Sequence, residues 1–91
     1  MKEVQAMVYR NMDRISDVFE HFNVKPYFSV EEIQNPFGGN PEQVVTFTFV
    51  APYYNGKPKT FKRNPAFKTV EMLENEILAY MFQCVDTFVN I

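Results

Sequence analysis

Cysteine and histidine occur once each among the 91 residues, glycine three times and tryptophan not at all. One cysteine excludes an internal disulfide framework, and one histidine excludes a histidine-rich metal site. No apolar run approaches the roughly 18–20 residues a membrane-spanning helix needs, so no membrane partner is expected. The opening Met1-Lys2-Glu3-Val4-Gln5 lacks a signal peptide's apolar stretch, and a cytoplasmic protein is expected. Gly38-Gly39 is followed by no Gly-Lys-Ser/Thr, and the chain holds no G-x-G-x-x-G. No cofactor and no metal are therefore expected.

What is present suffices for one domain spanning residues 1–91. Apolar residues make up 46% of the chain and aromatic ones 16%, enough for a core and too ordered a composition for a disordered tail. A domain this small buries only about 60–65% of the surface its unfolded chain exposes, so a partner covering more would add stability.

The net charge of −2 conceals a segregation. Residues 1–42 hold four basic and seven acidic groups. Residues 43–70 hold Lys57, Lys59, Lys62, Arg63 and Lys68 with no acid, and residues 71–91 hold Glu71, Glu74, Glu76 and Asp86 with no base. Either the middle segment meets an anionic partner or the basic strand and acidic helix neutralise each other within the fold.

Periodicity then sets the elements. Residues 3–22 predict an amphipathic helix with Val4, Val8, Ile15, Val18, Phe19 and Phe22 on one stripe. Asn11 interrupts that stripe; buried, it needs hydrogen-bond partners, and at a packing gap it is solvated. Residues 25–34 alternate as a strand, although Ser29 with Glu32 also fits a capping box for a short helix. The strand is favoured, because the turn-rich residues 35–41 and a strong strand follow. That second strand, residues 43–51, sends Val45, Phe47 and Phe49 to one face and Thr46 and Thr48 to the other. Asn55-Gly56 predicts a two-residue hairpin turn, with residues 57–63 returning as a third strand. A strict turn would put Phe61 on the threonine face, so a bulge at Pro52 is expected to swing it inward. Thr69 is the expected N-cap of a helix over residues 70–90. Two apolar seams run along that helix: Val70, Leu73, Ile77, Met81, Cys84 and Phe88 form one, and Leu78, Phe82, Val85 and Val89 the other. A sheet covers one seam, leaving the second for another helix, either residues 3–22 of the same chain or the same helix of a second copy.

The chain offers little for chemistry. His21 falls on the polar side of the first helix near its C-terminal end, and no nucleophile or orienting carboxylate is spaced to make it catalytic. Cys84 lies on the buried seam as a small hydrophobe. Glu31 and Glu32 are adjacent, so in a strand they face opposite sides. Glu71, Glu74 and Glu76 could form one metal-facing cluster, but acids at the start of a helix are also the ordinary complement of its dipole. No catalytic residue is assigned, and no enzyme is expected. The basic segment is different. Tyr53, Tyr54, Phe61 and Phe67 are interleaved with Lys57, Lys59, Lys62, Arg63 and Lys68, the residue types that combine in single-stranded nucleic-acid sites. Lysine and proline also protect a sheet edge from further pairing, and Pro58 with its neighbouring lysines fits that role equally.

The order helix–strand–strand–strand–helix, over roughly residues 3–90, resembles that of double-stranded-RNA-binding domains. That family contacts the duplex through a lysine-rich start to its last helix and a histidine in the loop between its first two strands. Here the last helix begins Thr69-Val70-Glu71-Met72-Leu73-Glu74, and residues 35–41 contain no histidine. The resemblance is thus one of topology, and RNA binding does not follow from it.

The expected architecture is α+β: a three-stranded antiparallel meander with two helices packed on one face. The expected function is a small non-enzymatic protein-interaction module, self-associating through Leu78, Phe82, Val85 and Val89 as a homodimer. Its size and lack of motifs are also those of accessory or inhibitor proteins of viruses and mobile elements. The alternative is nucleic-acid binding through residues 53–68, with Tyr53, Tyr54, Lys57, Lys59, Lys62, Arg63 and Lys68 as the surface for an anionic partner.

Overall fold

The computed structural model of the chain describes residues 2–52, 54, 55 and 57–89. The order is α1 (Lys2–His21), β1 (Lys25–Ile33), β2 (Glu42–Ala51), β3 (Tyr54–Asn55), β4 (Lys59–Arg63) and α2 (Val70–Val89). β1 pairs antiparallel with one side of β2 along its length, from Lys25 opposite Val50 to Ile33 opposite Glu42. β3 and β4 both pair antiparallel with β2, and act as two pieces of one interrupted third strand. The α+β meander with two helices is therefore the fold.

Strand alternation decides which face is dry. Val45, Phe47 and Phe49 of β2 are fully buried, and the register sets Val30, Phe28 and Pro26 of β1 opposite them. The opposite face carries Tyr27, Ser29, Thr46, Thr48 and Thr60, with Thr46 Oγ1 and Thr60 Oγ1 3.4 Å apart. Residues 25–33 are thus strand, and the capping-box alternative at Ser29 and Glu32 is not taken.

Both helices lie on the phenylalanine face. α1 contributes Val4, Met7, Val8 and Phe19 to the core, and α2 contributes Leu73, Ile77, Met81, Cys84 and Phe88. They run side by side in the same direction, since Asn11 meets Glu74 and Phe19 meets Phe88 further along. Phe49 sits between the helices' far ends, with ring centroids 5.0 Å from Phe19 and 6.3 Å from Phe88.

Local chemistry sets the helix ends. After α1, Asn23 adopts φ 56°; the Asn23 N–H donates to the Glu20 carbonyl and the Val24 N–H to Phe19. This left-handed C-terminal motif is one asparagine tolerates, and it brings Val24 back onto Phe19. Thr69 caps α2 as its sequence position predicts, its Oγ1 accepting from the Met72 N–H at 3.2 Å.

The hairpin departs from expectation. Ala51 pairs with Tyr54 and Val50 with Asn55, so the chain reverses before Asn55, which lies within β3. Gly56 falls outside the described residues. Phe61 is nevertheless buried, opposite Val45. From Val50 to Phe47 is three steps along β2, whereas their partners Asn55 and Lys59 are four apart. The one-residue offset therefore lies on the returning side, between Asn55 and Lys59, instead of at Pro52. A proline that ends its strand needs no accommodation inside the ladder.

Candidate functional site

The inner seam of α2 is consumed by the core, while the outer one is divided. Leu78 and Val85 are one and three turns beyond Glu74, which touches α1, so they lie along the α1 flank and are half-buried. Phe82 and Val89 lie further round the helix and are 62% and 55% exposed. The expected cover from α1 reaches only the near half of this seam. Val18 of α1, 37% exposed, is at the same end as Val89, because its neighbour Phe19 meets Phe88.

The contact between the helices is polar at its other end. Asn11 is fully buried; its Nδ2 donates to the Met7 carbonyl at 2.8 Å and to Glu74 Oε2 at 2.9 Å. Arg10 forms an ion pair with the same carboxylate oxygen. The bonds from Asn11 and Arg10 hold the Glu74 carboxyl below the usual glutamate range, with the charges of Arg10 and Arg14 adding to them against partial burial. The spacing of Arg10 suggests Asp13 as its helix partner, yet the guanidinium crosses to α2 instead. Glu76 faces away from this cluster, binding Lys68 Nζ at 2.8 Å and 3.0 Å. Glu74 and Glu76 thus serve two different neighbours and do not converge.

The basic segment is only partly a surface. Phe61 faces the core, its ring 6.2 Å from Phe47 and 5.5 Å from Tyr80, so no base can stack on it. Arg63 donates to Gln43 Oε1 at 2.7 Å, and Lys68 is tied to Glu76. Lys57, Lys59, Lys62 and Phe67 remain exposed. Tyr53 lies outside the described residues, and the backbone of Tyr54 belongs to β3.

His21 is exposed with its ring edge-on to Phe22 at 5.0 Å. Cys84 is buried, and burial pushes its thiol up despite an opposing hydrogen bond with Tyr80. Among the described residues no three His, Cys, Asp or Glu side chains are grouped to hold a metal ion, and no helix is long and apolar enough to cross a membrane. Residues 35–41 form a loop with turns at Gly38 and Gly39, φ 87° and 91°, pinned where Asn35 Oδ1 accepts from the Phe37 N–H.

One feature was not legible from spacing. The far flank of α2 stands beside β4 and, with it, frames a groove of about 650 Å³ lined in part by Lys59, Phe61, Lys68, Ala79, Tyr80 and Gln83. Its walls come from residues some 20 positions apart, and the only sequence signal was the edge-like composition of the strand.

Compared with protein-family models, with curated proteins and with solved structures, the chain matches none.

Proposed function

We propose that this protein is a non-enzymatic, cytoplasmic interaction module that pairs with a second copy of itself through the outer seam of α2. The observation carrying this reading is the exposure of Phe82 and Val89 beside the half-buried Leu78 and Val85. The seam is also self-complementary. Its spacings of four, three and four read the same in both directions, so two antiparallel copies about a two-fold axis set Leu78 against Val89 and Phe82 against Val85. Such a contact closes on itself and leaves no open ends. Asp86 is the one charged residue between positions 78 and 89, which limits like-charge repulsion across the axis. A contact of about three helical turns is small among stable interfaces, so the dimer is expected to dissociate in the micromolar range.

Light scattering and sedimentation across micromolar to near-millimolar concentration test the reading. The expected result is a mass rising from 10.7 kDa towards twice that value, with Phe82→Glu held at one chain and still melting cooperatively. A wild-type mass fixed at one chain throughout would remove self-association. Loss of the cooperative melt in Phe82→Glu would place this ring in the monomer's own core.

A further inference from the structure

We propose that the outer edge of β4 docks an extended acidic peptide from another protein, which adds a strand to the sheet and lies against α2. This site is separate from the outer seam of α2, and its use does not require self-association.

The first support is an available ladder. Among the described residues β4 pairs with β2 alone. The Lys62 carbonyl accepts from Lys68 Nζ at 3.4 Å, so it points away from β2. Antiparallel alternation then turns the N–H and C=O of both Lys62 and Thr60 toward the open side. Those groups are the template on which an added strand forms.

The second support is the wall beside that edge. Ala79, Tyr80 and Gln83 of α2 face β4 across the 650 Å³ groove, with Phe61 at its base. A strand seated on β4 sends alternate side chains into this groove and the others over Thr60 and Lys62. Strand pairing supplies affinity, and the groove discriminates among side chains.

The third support is charge. Lys59 and Lys62 are exposed, and the Lys59 ammonium lies 5.9 Å from the centre of the Phe61 ring. Glu76 is the one acid lining the groove, and Lys68 already holds it. Lys68 therefore acts as a latch, bridging the Lys62 carbonyl and Glu76 across the site. An incoming strand replaces it at the carbonyl with a backbone N–H, and the released ammonium meets a peptide carboxylate. Peptide is favoured over nucleic acid because the edge presents backbone hydrogen-bonding groups, while the Phe61 ring is turned inward and unavailable for stacking.

Four probes test the assignment by titration calorimetry and amide hydrogen exchange. They are a blocked eight-residue peptide with glutamate at alternate positions between valine and threonine, its lysine-for-glutamate counterpart, its N-methylated counterpart unable to pair along one edge, and a twelve-nucleotide oligothymidylate. The acidic peptide should bind at about 100 µM or tighter and slow exchange at the amides of Thr60 and Lys62. Affinity should fall about tenfold or more in Lys59→Glu/Lys62→Glu, checked for an unchanged melt. It should rise about two- to fivefold in Glu76→Gln, which removes the competitor for Lys68. Phe82→Glu should bind like wild type, so failure of self-association leaves this result intact. No binding at millimolar peptide, equal binding of the lysine or N-methylated peptide, or unchanged exchange at Thr60 and Lys62 would overturn the proposal. Tighter binding of the oligonucleotide would reassign the surface to nucleic acid, and open-ended polymers dissolved by the lysine reversals would reassign it to a second copy.

Discussion

The two helices have equal length, 20 residues each, and opposite relations to their surroundings. α1 is rich in charge, and its buried positions keep to one stripe that the sheet and α2 cover. α2 is apolar over a much wider arc, and the sheet and α1 together cover only part of it. A helix resting on a sheet beside one neighbour needs an apolar arc of little more than about 100°. α1 matches that geometry. α2 exceeds it, and the excess is the surface on which the proposed pairing rests. The difference teaches that an apolar arc wider than the sheet and the neighbouring helix can cover locates surface available for association.

The sharpest way to break this comparison is to truncate one residue from each seam of α2. Ile77→Ala removes a fully buried side chain and should cost about 2–5 kcal/mol, through lost burial and the cavity left behind. Phe82→Ala, measured by urea unfolding at concentrations where the chain is monomeric, should change stability by no more than about 0.5 kcal/mol. Comparable losses at both sites would mean that the seams do not differ as their exposures indicate.

A smaller effect probes the polar end of the helix contact. Asn11→Ala removes the donor to Glu74 and leaves a buried gap, for an expected loss of about 1–3 kcal/mol. Asn11→Leu refills the volume, so recovery of stability in that variant would show that space, and not the Glu74 bond, is what the position requires.

The smallest effect is one of pH. The folded-state value of Glu74 is lowered by Asn11 and Arg10. Its contribution is therefore complete above the unfolded-state carboxylate value and is lost as pH falls through the lowered folded value. Glu74→Gln should flatten the acidic limb of a stability-against-pH profile relative to wild type. An unchanged limb would show that other carboxylates set it.

Much of this organisation follows from local chemistry. Alternation in residues 43–51 gives a two-sided strand wherever it sits, so the burial of Val45, Phe47 and Phe49 was legible. Thr69 was legible as a cap because its hydroxyl needs only an N–H three residues on. The hairpin lies elsewhere than Asn55-Gly56 predicts because that pair expresses only a local turn preference, while the pairing of β2 with β4 commits several residues to one register. Burying Phe61 opposite Val45 outweighed the turn signal. The candidate surfaces were legible in unequal measure: the outer seam of α2 shows in its spacing, but its division into covered and exposed halves depends on where α1 lies.

By itself, then, the sequence determined which elements form, which faces are apolar and where charge accumulates, because these depend on neighbours within a few residues. Tertiary structure alone decided that Arg10 crosses to Glu74 instead of pairing along its own helix. It also decided that Lys68 latches the β4 edge onto Glu76, and that α1 covers one half of a seam and leaves the other open. Such outcomes depend on how elements far apart in the chain are brought side by side, and on which of several nearby partners a long side chain then reaches with the least loss of conformational freedom.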